Sequence, residues 1–224
     1  MIAGLGKSAS SFWGSAAPSA LQVANAATFL LCVVGNALSS SAVMKKFGGE
    51  TNSQISAAHK TAFTPAGYAF SIWGIIYTLV SMFCIFQLHP ARKEWVAEVV
   101  GWRFIVVNLA NASWLLCFGF ELGGGQWVSS VVLFAGLLAP LVWLHRRMRV
   151  GDLGRTLHPS ELVCAHAMVS IYSGWCCVAA IANVSIALTP RNAIASLGWT
   201  PAGWSVLMQV VAFALASAYL WLHR

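Results

Sequence analysis

Thr64-Pro65-Ala66-Gly67-Tyr68-Ala69-Phe70-Ser71-Ile72-Trp73-Gly74-Ile75-Ile76-Tyr77 opens a stretch, from Lys60 to Arg92, in which no Asp, Glu, Lys or Arg occurs. Thr followed by Pro is a helix-start signal: the hydroxyl can cap, and the ring has no N–H to satisfy and already holds a helical φ. From there Phe70, Trp73, Tyr77 and Cys84 recur at helical spacing on one face. A charge-free apolar helix of this length crosses the roughly 30 Å of hydrocarbon in a bilayer. The segment therefore predicts a transmembrane helix over 66–88, with an aromatic stripe dense enough to stack a flat ligand or to fill a core.

The same pattern recurs along the chain. Charge-free stretches also lie between Lys7 and Lys45, Arg103 and Glu121, Glu121 and Arg146, Glu161 and Arg191, and Arg191 and Arg224. They predict five more spans, at 21–43, 104–121, 126–145, 161–188 and 203–222. The third is the shortest, so its helix is expected to begin at Trp102 with Arg103 snorkelling. Across all 224 residues 58% are hydrophobic and only 8% charged, with a mean hydropathy of +0.73. A soluble domain carries about a quarter charged residues and needs them to stay in water. The fold class expected is an all-α, polytopic membrane bundle of six helices, without the dyad alternation of an outer-membrane barrel.

The net charge of +7 points to topology and not to nucleic acid. With six spans, Lys7, Arg92, Lys93, Arg103, Arg146, Arg147, Arg149, Arg155 and Arg224 fall on one side, and Lys45, Lys46, Lys60 and Arg191 on the other. That bias places both termini on the cytoplasmic or equivalent side. The run His145-Arg146-Arg147-Met148-Arg149 reads as a stop signal beside anionic headgroups. All six cysteines lie inside expected spans, with no CxxC or Cys/His ligand spacing, so they read as packing residues. Neither a metal site nor a catalytic residue is expected. Residues 1–20 are expected to form an Ala/Ser-rich tail, 21–190 to hold the first five helices, and 191–224 the C-terminal sixth.

Three spans carry polar residues on one face. On the first, Asn25, Thr28, Cys32, Asn36 and Ser39 form a stripe that must face protein or a cavity, because lipid-facing amides are costly. Helix-to-helix contact is the simpler reading of it. The third carries Asn108, Asn111 and Trp114, with Phe118 extending the arc. The fifth carries Tyr172, Trp175, Ala179 and Asn183, within about 80° at 100° per residue. Together with Trp73 they predict a polar and aromatic interior. Trp95, Trp102, Trp127, Trp143, Trp199, Trp204 and Trp221 sit near span ends, where belt anchoring accounts for most of them. Thr200-Pro201-Ala202-Gly203-Trp204 echoes the opening of the second span and predicts the same helix start.

These residues resemble the TspO/MBR family, the tryptophan-rich sensory proteins related to the mitochondrial translocator protein or peripheral benzodiazepine receptor. Pro65, Trp73 and Tyr77 match the family's second helix, Asn111 and Trp114 its third, and Trp127 the start of its fourth. Tyr172, Trp175, Ala179 and Asn183 match its fifth without a gap, so the likeness covers roughly residues 20–190. Departures mark a divergent, longer branch. Tyr68 and Phe70 are displaced by one residue, and the Trp-Tyr and Lys-Pro elements of the first loop are missing. Val107 stands where a Gln is usual, and a sixth helix follows the usual five.

The resemblance implies a helical bundle, often a homodimer, with a pocket closed by the loop after the first span. It implies a hydrophobic small-molecule ligand, a tetrapyrrole (porphyrin or haem) or a sterol, and roles in sensing or transport. Carried over, the pocket residues are Trp73, Tyr77, Asn111, Trp114, Trp127, Trp175, Ala179 and Asn183; Phe70 and Tyr172 join them on the faces read above.

Other functions find less support. Proton-coupled transport needs ionisable groups in mid-membrane, and only Glu121, Glu161 and His166 come near. His166 lies about 120° from the Tyr172–Asn183 face and reads as a packed histidine. No lysine lies mid-span for a retinal Schiff base, and no HExxH or GxSxG occurs. The alternative is a small structural or pigment-associated subunit of a larger membrane complex, with His145, His158 or His166 as a tetrapyrrole ligand.

Overall fold

The computed structural model describes residues 17–39, 42–61, 63–122, 126–151, 156–188 and 198–222, all of them helix or connection, with no strand among the described residues. Most of the N-terminal tail and the connection at 189–197 lie outside them. Each charge-free stretch holds one long helix: α1 (Ala20–Ser39), α4 (Gly67–Gln87), α6 (Arg103–Gly119), α7 (Trp127–Arg147), α8 (Pro159–Leu188) and α9 (Pro201–Leu222). Three shorter helices occupy connections: α2 (Ala42–Lys46), α3 (Asn52–Ala58) and α5 (Pro90–Val100).

Four of these, α1, α4, α7 and α8, are long and apolar enough to cross a membrane. A fifth span results if α5 and α6, bent by 73°, form one broken crossing. Gly101 makes the bend, with a φ of +61° that only glycine adopts without strain. α6 alone has 17 residues, about 25 Å at 1.5 Å per residue. Arg103 opens α6 directly after Trp102, and its guanidinium lies 3.5 Å over the ring of Trp143. The described apolar part of α9, Pro201–Ala214, is shorter than a span.

Packing follows from where the large side chains are. α6 runs through the middle against α1 and α7, while α8 packs on α4 and α7. A Cβ at Gly136 on α7 would collide with Ala110 on α6, so the two backbones meet closely there. Phe83 and Phe104 meet at 4.8 Å in the core, which continues through Val107, Leu137, Leu141 and Met168. Leu30, Ile85, Val131 and Phe213 are 64–75% exposed, as expected of side chains that face lipid. α7 loosens into a π-helical segment over Val132–Leu138, just ahead of Pro140. A proline removes one backbone donor and crowds the carbonyl four residues back, which favours such a wider turn.

One expectation fails. Thr64 does not cap α4: the helix opens as a 3-10 turn at Gly67 after an extended Ala66, without a side-chain cap. The Thr64 hydroxyl instead accepts the Thr61 N–H at 2.8 Å, so the pair closes a turn upstream. At the echo the rule does hold, and the Gly203 N–H donates to the Thr200 hydroxyl at 3.0 Å.

Candidate functional site

Trp73, about two turns into α4, is the hub of an aromatic cluster. It stacks on Tyr77 of its own helix (5.5 Å, 22°) and tilts against Trp114 of α6 (6.1 Å). It meets Tyr172 and Trp175 of α8 edge-on, at 6.0 and 6.3 Å. Phe70 contacts Trp175 edge-on and Phe118 continues from Trp114. Edge-to-face and offset rings of this kind each contribute about 0.5–1.5 kcal/mol beyond the area they bury.

Amides sit behind the rings. Asn111, fully buried, donates to the Tyr172 hydroxyl; its Oδ1 accepts from the Tyr77 hydroxyl at 3.4 Å and from Asn36 of α1 at 3.3 Å. Asn183 accepts the Trp114 indole N–H at 3.1 Å. Its own amide donates to the hydroxyls of Ser129 (2.7 Å) and Ser130 (3.0 Å) and to the Gln126 carbonyl. Gln126 in turn donates to the Phe118 carbonyl and to Glu121. Both asparagines are therefore engaged within the chain and fix the orientation of the aromatic rings.

The segment after α1 lies over this cluster. Thr51 and Gln54 form a capping box that starts α3, and α3 packs on α6 with Ile55 and Ser56 buried. The Glu50 N–H donates to the Gly119 carbonyl at 2.9 Å. A Cβ at Gly119 would strike Met44 and that same strand of backbone. His59 and Glu121 meet at 2.8 Å and hold the far end of the segment.

Between this segment and the cluster is a cavity of about 30 Å³. Phe70, Trp73, Trp114, Trp175, Ala179 and Asn183 line its deep side, and Asn52, Ser56, Thr64 and Pro65 its outer side. Tyr77, Asn111 and Tyr172 are not on the wall but directly beneath it. Trp127 is not on the cavity wall; it opens α7 beside Gln126 and is about one-third exposed. Gln126, Ser129, Ser130, Asn52 and Ser56 were not singled out by sequence. The first three lack an aromatic or helical pattern at the start of a span, and the last two lie on a connection with no apolar period. The indole N–H of Trp175 is buried with no hydrogen-bond partner. No group of three metal-ligating side chains occurs among the described residues.

Membrane-length helices around a tryptophan-lined cavity, under a folded loop, define an integral membrane protein of the helical-bundle class. The chain belongs to the TSPO-like protein family, whose sequence profile matches residues 22–224 and so includes the last helix. No curated protein and no solved structure matches it.

Proposed function

We propose that this protein binds a flat hydrophobic ligand, a tetrapyrrole or a sterol, against Trp73, Trp114 and Trp175, as a six-span protein with both termini on the cytoplasmic or equivalent side. The observation that carries the reading is the unpartnered indole N–H of Trp175 beside the cavity. A buried donor without an acceptor costs roughly 1–3 kcal/mol, and a ligand carboxylate or carbonyl relieves it. The surrounding rings supply the stacking surface, and Ala179 leaves room beside them.

Size sets a condition. Pockets for drug-sized ligands hold about 300–1,000 Å³, against a cavity here of about 30 Å³. A tetrapyrrole therefore enters only if the segment from α2 to Thr64 lifts. That segment connects two spans and is tied to the bundle through contacts that include Glu50–Gly119 and His59–Glu121, and it is the natural moving part.

The test is titration of the purified, detergent-solubilised protein with protoporphyrin IX and haemin, followed by tryptophan quenching and the Soret band. Saturable micromolar binding that Trp175→Ala abolishes supports the site and makes sensing and transport assays worthwhile. Binding that is not saturable, or that Trp175→Ala leaves unchanged, overturns the tetrapyrrole reading. Sterol titration and isolation from native membranes would then decide between a sterol site and a complex subunit.

A further inference from the structure

The end of the bundle away from the cavity holds a second, unrelated arrangement. Arg103 at the start of α6 places its guanidinium 3.5 Å over the Trp143 ring and 5.0 Å from that of Trp102. Arg147, at the end of α7, lies 5.4 Å from the same Trp143 ring. Two permanent cations thus share one indole. Among the described residues neither has a carboxylate within ion-pair distance, although Glu98 is close enough for its backbone carbonyl to accept from Arg147 at 2.8 Å.

An aromatic face offsets part of one cationic charge, but it does nothing for the repulsion between two. Phosphate oxygens do: they take in-plane N–H groups from both guanidiniums while the rings hold those planes flat. Arg147 has five N–H donors and directs one at Glu98, so most of its fork is free. The bend at Gly101 sets this up, because it folds α5 back until the Glu98 carbonyl reaches α7.

We infer that Arg103, Trp143 and Arg147 form a binding notch for the phosphodiester of an anionic phospholipid. The membrane supplies the ligand because the notch sits where two spans end and because Trp102 beside it is 60% exposed, as suits an interfacial ring. Nearby Arg146 is exposed as well and adds to the field.

The experiment is native mass spectrometry of the full-length protein in detergent, with phosphatidylglycerol, phosphatidylcholine or inorganic phosphate added. Retention of phosphatidylglycerol several-fold above phosphatidylcholine is expected. It should fall to the phosphatidylcholine level in Arg103→Gln and in Arg147→Gln, and survive in Lys45→Gln/Lys46→Gln, a pair that lies on α2. Arg147→Gln changes an exposed side chain and keeps the test valid if Arg103→Gln folds poorly. Equal retention of both lipids, equal loss in the lysine control, or displacement of phosphatidylglycerol by millimolar phosphate would each overturn the assignment.

Discussion

Two polar regions lie inside this bundle, and they do opposite things with the same kind of residue. Toward the end of α4, Gln22, Asn25, Gln87 and Asn108 tie three helices together. Gln22 donates to the Gln87 and His89 carbonyls, Asn25 donates to the Gln87 side chain at 3.0 Å, and Asn108 donates to Asn25 and Thr28 of α1. Toward the start of α4, Asn111 and Asn183 orient rings. Each region leaves one polar atom unpaired: the Asn25 Oδ1 in the first, the Trp175 indole N–H in the second. The first is sealed among amides; the second borders a cavity. An intramembrane asparagine is therefore glue or part of a site according to what packs beside it.

The comparison breaks most sharply at Trp175. Trp175→Ala should weaken protoporphyrin IX binding by at least ~10-fold, about 1.4 kcal/mol, with little change in yield of folded protein. Asn183→Ala should weaken it several-fold, by freeing the Trp114 ring. Unchanged affinity in both, measured by tryptophan quenching, would remove the site from this end of the bundle.

Gln87→Ala tests the other region. It removes the acceptor of the Asn25 amide and the donor to the Gln22 backbone carbonyl, and hydrogen bonds between membrane helices contribute about 0.6 kcal/mol on average, up to about 1.7. The melting temperature in detergent should fall while porphyrin affinity stays within two-fold. A loss of affinity as large as that of Trp175→Ala would mean the two regions act as one.

The lid gives a smaller effect. His59→Ala removes the partly exposed contact to Glu121, and a surface contact of this kind is worth roughly 0–1 kcal/mol. Ligand association and dissociation in stopped flow should both accelerate, with Kd moving less than about five-fold. Unaltered rates would show that the segment opens elsewhere.

What was legible in the sequence follows from these contrasts. Segregated charges marked all six long helices, because hydrocarbon tolerates so few. The aromatic hub was legible because Trp73, Trp114 and Trp175 each repeat at helical spacing beside an amide or a ring. α5 was not: Arg92, Lys93, Glu94 and Glu98 break the apolar pattern that marks the spans, and the bend at Gly101 lets this charged helix abut α6. The identical Thr-Pro-Ala-Gly openings of α4 and α9 differ in outcome: the Thr64 hydroxyl accepts from the upstream Thr61 N–H, whereas the Thr200 hydroxyl accepts from the Gly203 N–H inside its helix. Gln22 and Gln87 went unremarked because each is a single amide at a span end, which sequence alone reads as interfacial.

The smallest effect is expected at His166, and it bears on where a metal-bearing ligand would sit. His166 lies in the π-helical segment Leu162–Ala167 of α8, only 4% exposed, with its Nε2 3.8 Å from Glu161. Its carbonyl accepts the Ser170 hydroxyl at 2.7 Å, and that hydroxyl is 3.4 Å from the His145 ring on α7. These contacts join α7 and α8 at the end away from the cavity, a structural task like that of Gln87. His166→Ala should accordingly lower the melting temperature slightly and leave both haemin and protoporphyrin IX affinities within two-fold. The two ligands differ only by iron, so they separate ring stacking from axial ligation. Haemin binding lost with protoporphyrin IX binding kept would make His166 an iron ligand, and the functional end of α8 would be the one assigned here to packing.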